Sequence, residues 1–116
     1  MNFSGKQAVE LLAVLKSLCT LHEMDRTDKM WSYKMKHGSA REFAFDPKTT
    51  TRLTVRLDVE PPLMVGLSNP RNIESESIST ALNRVFSGGT HRPRWKVDVE
   101  DEYALVRLME HLERSA

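Results

Sequence analysis

The sequence predicts an α+β fold: an antiparallel sheet of four or five strands, with three helices mainly on one face, in the order α-β-β-β-α-β-α. Three observations predict it. An N-terminal stretch repeats apolar residues at helical spacing, three following stretches alternate apolar and polar residues with short turn-rich connections, and a strand-like and a helix-like segment close the chain. Short connections imply antiparallel neighbours, and strands with one apolar face need the helices' apolar stripes to cover it.

Ser4 and Gln7 have the spacing of a capping box, so the first helix starts near Ser4. Ala8, Leu11, Leu12, Leu15, Leu18, Cys19 and His22 then recur at three and four residues, which predicts one buried stripe to about residue 23. Trp31, Tyr33 and Met35 alternate with Ser32, Lys34 and Lys36. Phe43 and Phe45 flank Ala44, and Leu53, Val55, Leu57 and Val59 alternate with Thr54, Arg56 and Asp58. These are the three strands. Between them, His37-Gly38-Ser39 and Asp46-Pro47-Lys48-Thr49 carry turn chemistry.

Pro61-Pro62 ends the third strand, because neither proline donates to a ladder, and Leu63-Met64-Val65 is expected as a short edge piece. Ser68-Asn69-Pro70-Arg71-Asn72 has the composition of a loop. Ser75 is placed to cap a second helix carrying Ile78, Leu82, Val85 and Phe86 on one face and ending at Gly88. Trp95, Val97 and Val99 alternate with Arg94, Lys96 and Asp98 as a further strand, its Trp95 directed inward. Residues 101–113 form the last helix, with Leu105, Leu108, Met109 and Leu112 inward.

The order of helix, three strands and helix over residues 5–87, with His37-Gly38 before a Phe-rich strand, resembles the double-stranded-RNA-binding domain. That family has a lysine-rich cluster at the start of its second helix, where this chain has Glu74, Ser75, Glu76 and Ser77. The resemblance therefore concerns element order, and its function is not carried over.

The chain's 116 residues suit one domain, 1–116, with a core of its own. One cysteine, Cys19, cannot form an internal disulfide, and Glu10 and Lys16 interrupt the first apolar stretch, so no membrane span is expected. The expectation is a soluble, cytoplasmic domain. A formal net charge of +1 conceals segregation: residues 26–56 hold eight basic and three acidic side chains, and residues 98–116 hold six acidic and two basic. Basic and acidic surfaces should lie apart.

If the alternation holds, the sheet face away from the helices carries Lys34, Lys36, Arg52, Arg56, Arg94 and Lys96 against Glu42, Asp58 and Asp98. Several cations on one rigid face release condensed counterions from a polyanion, so DNA or RNA is the expected partner. Loops at residues 69–72 and 88–94 extend this face with Arg71, His91 and Arg92. The plainer reading of the same residues is a solvated sheet face with cross-strand ion pairs and loops shaped by Asn-Pro and Gly-Gly.

Catalytic signatures are incomplete. Cys19 and His22 have a helical pair's spacing, but no second pair completes a metal site, and Asp58-Val59-Glu60 lacks the lysine of a nuclease motif. Gly5-Lys6 follows no glycine-rich loop, and Ser87, Thr90 and His91 lack a visible orienting carboxylate. The expected function is thus a small non-catalytic nucleic-acid-binding domain without a cofactor. The alternative is a protein-interaction module, as a homodimer or an inhibitor of a larger enzyme, docking by charge complementarity.

Overall fold

The computed structural model describes residues 3–16, 19–21, 30–36, 38, 41–73 and 94–114. Among these residues the elements are α1 (Gly5–Val14), β1 (Cys19–Leu21), β2 (Trp31–Met35), β3 (Glu42–Phe45), β4 (Leu53–Leu57), β5 (Leu67–Asn72), β6 (Trp95–Val99) and α2 (Glu102–Arg114). The strands form one sheet in the order β1-β2-β3-β4-β6-β5, and every neighbouring pair is antiparallel. The α+β class and the antiparallel sheet are as the sequence predicts. The strand count is six instead of four or five, and the predicted second helix from Ser75 lies outside the described residues.

The capping box forms at α1. The Ser4 hydroxyl accepts the Gln7 N–H at 3.3 Å, and the Ser4 N–H donates to Gln7 Oε1 at 3.0 Å. The Gly5 N–H donates to Thr49 Oγ1 at 2.7 Å, which seats the start of α1 on the β3–β4 turn. A Cβ at Gly5 would collide with the Asp46 carbonyl oxygen, so this approach requires glycine. The turn itself is fixed by Asp46 Oδ1, which accepts the Lys48 N–H at 2.8 Å, as Asp at its first position predicts.

Two corrections account for the extra strands. The first helix does not reach residue 23: it ends at Val14, where the Leu15 N–H closes on the Leu11 carbonyl at 3.1 Å. Cys19, Thr20 and Leu21 instead pair in register with Met35, Lys34 and Tyr33. Ladder bonds to β2 replace the final helical turns, so tertiary pairing overrides the helical periodicity. Consequently Cys19 stands on a strand, not at helical spacing from His22, which lies outside the described residues.

The second correction concerns Ser68–Asn72, expected as a loop, which belongs to β5. Asn69, at φ 54°, and a register shift between Ser68 and Arg71 make room for Pro70 on this edge strand. A bulge on an edge is where a strand tolerates a residue without an N–H. Leu63–Val65 is not a strand; Leu63 and Val65 are almost fully exposed, and β4 closes at Leu57 before reaching Val59. With four strands after α1 before β5, the order departs from the double-stranded-RNA-binding domain.

Among the described residues a core lies between the sheet and the helices α1 and α2. Tyr33, Phe43, Phe45, Leu53, Val55, Leu57, Val97 and Val99 meet Ala8 and Leu12 of α1 and Leu105, Leu108, Met109 and Leu112 of α2. Tyr33 stacks on Phe43 and Phe45, with ring centroids 5.4 and 5.5 Å apart, so the aromatic side chains of β2 and β3 are committed inward. Trp95 packs half-buried against the same core, as its phase predicts. Asp101 caps α2 by accepting the Ala104 N–H at 2.8 Å. No helix among the described residues is long and apolar enough to cross a membrane.

Candidate nucleic-acid interface

Because side chains alternate along each strand, the residues between the core positions project from the opposite, outer face of the sheet. Register aligns Ser32, Ala44, Arg56, Lys96 and Arg71 in one row across β2, β3, β4, β6 and β5. Strands are about 4.8 Å apart, so the Cα atoms of Arg56, Lys96 and Arg71 fall within about 10 Å of one another. Like charges directly opposite each other cost stability in a sheet.

Beside this row, Asp98 organises its neighbours. Its Oδ1 accepts the Thr54 hydroxyl at 2.8 Å and lies 3.5 Å from Arg71 Nη2, while its Oδ2 lies 3.9 Å from Arg52 Nη1. Arg71 also donates from Nη1 to the Asn69 carbonyl at 2.7 Å. Two guanidinium groups thus share one carboxylate, and the face keeps an excess of positive charge. The Arg52 side chain is 70% exposed, so its pairing with Asp98 is a loose surface contact.

The other half of the outer face differs. Lys34 stands in register with Glu42, and Arg41 Nη1 lies 3.9 Å from Asp58 Oδ2. Burial pushes the Asp58 carboxyl above the ordinary aspartate range; the Arg41 charge opposes this, and the Glu42 carboxylate adds to it. The sequence expectation of an open face fails here, since Ser32 and Ala44 are inaccessible and Glu42 is 1% exposed. Glu42 keeps polar company in that position: Lys34 is its cross-strand neighbour, and its backbone N–H serves the Asp58 carboxylate.

The structure therefore gathers Arg52, Arg56, Arg71 and Lys96, and separates them from Lys34 and Lys36, which lie on and just beyond β2. Arg94 is exposed immediately before β6, anchored by its N–H to the Leu57 carbonyl at 2.8 Å. His91 and Arg92 lie outside the described residues. Arg71 reaches the cluster from a strand, not from the expected loop. Thr54 and Arg41 were not singled out by the sequence; the former has a signal only in hindsight of register, opposite Asp98.

A cleft of about 380 Å³ opens at the end of the outer face nearest the β3–β4 turn. Arg52, Thr54 and Arg56 line it from β4 and its approach, Asp46, Thr49 and Thr51 from the turn, and Met30 from the residue before β2. A second cleft, of about 490 Å³, lies between one side of α1 and the N-terminal end of α2 and is acidic, with Glu10, Glu100, Asp101 and Glu102 in its lining. Basic and acidic surfaces are thus spatially distinct. Among the described residues no three His, Cys, Asp or Glu side chains group as a metal site. No known family, curated protein or solved structure matches the chain.

Proposed function

We propose that the chain binds nucleic acid through the outer face of β4, β6 and β5. The observation that carries this reading is the row Arg56–Lys96–Arg71, in which register places three cationic residues side by side on one rigid sheet face. A phosphate backbone laid along such a face releases condensed counterions on binding. The loose Arg52 side chain and the exposed Arg94 extend the same surface. Inward commitment of the β2 and β3 aromatics leaves phosphate contact, not base stacking, as the chemistry this face offers.

The test is fluorescence anisotropy with labelled duplex and single-stranded probes over a salt series. The wild-type chain should bind with a log K that falls linearly with log salt concentration, by about 0.9 per phosphate contacted on a duplex. Replacing Arg56, Lys96 and Arg71 together by Gln should weaken binding and reduce that slope by about 2 to 3. Equal affinity and slope for the triple variant would remove the row from the interface.

A protein partner is the second reading, and one observation favours it. Leu63 is 96% and Val65 92% exposed, on the segment that enters β5 through Gly66, which packs against Ala104 of α2. Apolar side chains presented this fully suit insertion into a partner's pocket. Light scattering after size exclusion distinguishes self-association from a monomer, and Leu63→Ser with Val65→Ser should abolish a dimer made by this segment.

A further inference from the structure

We propose that the cleft beside the β3–β4 turn takes the phosphorylated end of a nucleic-acid strand, that is, a terminal nucleotide carrying a phosphomonoester. The proposal rests on the nucleic-acid reading above and adds an end-specific subsite to it. The cleft's volume of about 380 Å³ falls within the range usual for small-molecule sites, about 300 to 1,000 Å³. Arg56 belongs to both the cleft and the cationic row, so a strand lying along the row runs into it.

The lining favours a monoester over the diester of a continuous backbone. Arg52, Thr54 and Arg56 share one face of the chain at two-residue spacing, so their Cα atoms span about 13 Å with the threonine between. Guanidinium groups are planar forks matched to phosphate oxygens, and two of them can close on one group from either side. Thr49 Oγ1 already accepts the Gly5 N–H, which leaves its hydroxyl proton to donate. Thr51 adds an exposed hydroxyl. Three oxygens and up to two negative charges on a monoester answer this donor set better than the two oxygens and single charge of a diester.

Asp46 and Met30 complete the preference for a nucleotide over a bare anion. Asp46 lines the same cleft, and with Oδ1 accepting the Lys48 N–H its carboxylate retains a second acceptor oxygen. A carboxylate accepts a hydrogen bond from a sugar hydroxyl and Met30 offers an apolar wall to the sugar or base, contacts that inorganic phosphate cannot make. Arg52 gives up only a loose contact with Asp98 to turn toward the ligand.

The experiment uses the full chain and labelled oligonucleotides of one sequence, unphosphorylated or carrying a phosphate at the 5′ or 3′ end. A terminal phosphate at one end should tighten binding about tenfold, the worth of a charge-assisted contact. Adenosine monophosphate should compete for that increment, and inorganic phosphate at the same concentration should not. Thr51→Val should shrink the increment without altering affinity for the unphosphorylated strand, and Arg52→Gln should remove it. Salt-sensitive binding that ignores the terminal phosphate overturns the cleft proposal alone. Competition by inorganic phosphate equal to that of the nucleotide overturns the nucleotide class. Failure of every oligonucleotide to bind overturns the nucleic-acid reading beneath it.

Discussion

Arg56 on β4 lies directly opposite Lys96 on β6, two cations held in register on interior strands of a six-stranded sheet. Each neighbour could have been neutral without loss to the core, since Leu57 and Val97 beside them carry the burial. In the proposed interface, this juxtaposition is what an anionic partner would bridge.

Replacing Lys96 by Gln should separate stability from binding. With Arg56 on one side and Arg71 on the other, losing this charge should change the unfolding free energy by less than about 1 kcal/mol. The same change should weaken nucleic-acid binding. Urea unfolding and anisotropy on one preparation measure both. A variant that loses stability and affinity together would place Lys96 among structural residues, not at an interface.

Asp98 should show the opposite pattern. Its carboxylate receives the Thr54 hydroxyl and draws in Arg52 and Arg71, with only 14% of its side chain exposed. Asp98→Asn keeps the shape and removes the charge, leaving the two guanidinium groups without their shared anion. The expected cost is about 1 to 3 kcal/mol of stability, typical of hydrogen bonds to a charged group. Affinity for a duplex should rise at low salt, where the added positive charge is least screened. Chemical denaturation and a salt series of binding isotherms check the two halves.

The alternation of Leu53, Val55 and Leu57, and of Val97 and Val99, identifies the inner face in the sequence because a half-buried strand repeats every two residues. Sequence periodicity failed where pairing outweighed it. Cys19–Leu21 fits a helical stripe as well as a strand, and only its partner β2 decides between them. Pro70 argues for a loop in any reading of composition, yet an edge strand with a bulge accommodates it. The site was legible as residue types, and its geometry was not. Arg71 joins Arg56 and Lys96 through a β5–β6 pairing between segments whose adjacency no local pattern encodes. The Asp46–Thr49 turn was readable, but the cleft beside it also requires Met30, which the pairing of Trp31 with Phe45 brings alongside.

Asp58 supplies a pH dependence whose direction follows from its surroundings. Burial raises its carboxyl above the unfolded value of about 3.9, overcoming the favourable Arg41 charge, with Glu42 repelling in addition. Between those two pKa values the folded chain holds a proton that the unfolded chain has released. The unfolded state then binds fewer protons than the native state, so stability falls as pH rises through this window. Above the folded value Asp58 is charged in both states and the penalty is complete; below the unfolded value it is absent. Asp58→Asn cannot titrate, so the wild type should lose stability relative to the variant as pH rises from about 4 toward neutrality. Urea midpoints of both proteins at several pH values measure the difference. A gap that moves in the other direction would mean that Arg41, at 3.9 Å, outweighs burial at this carboxylate.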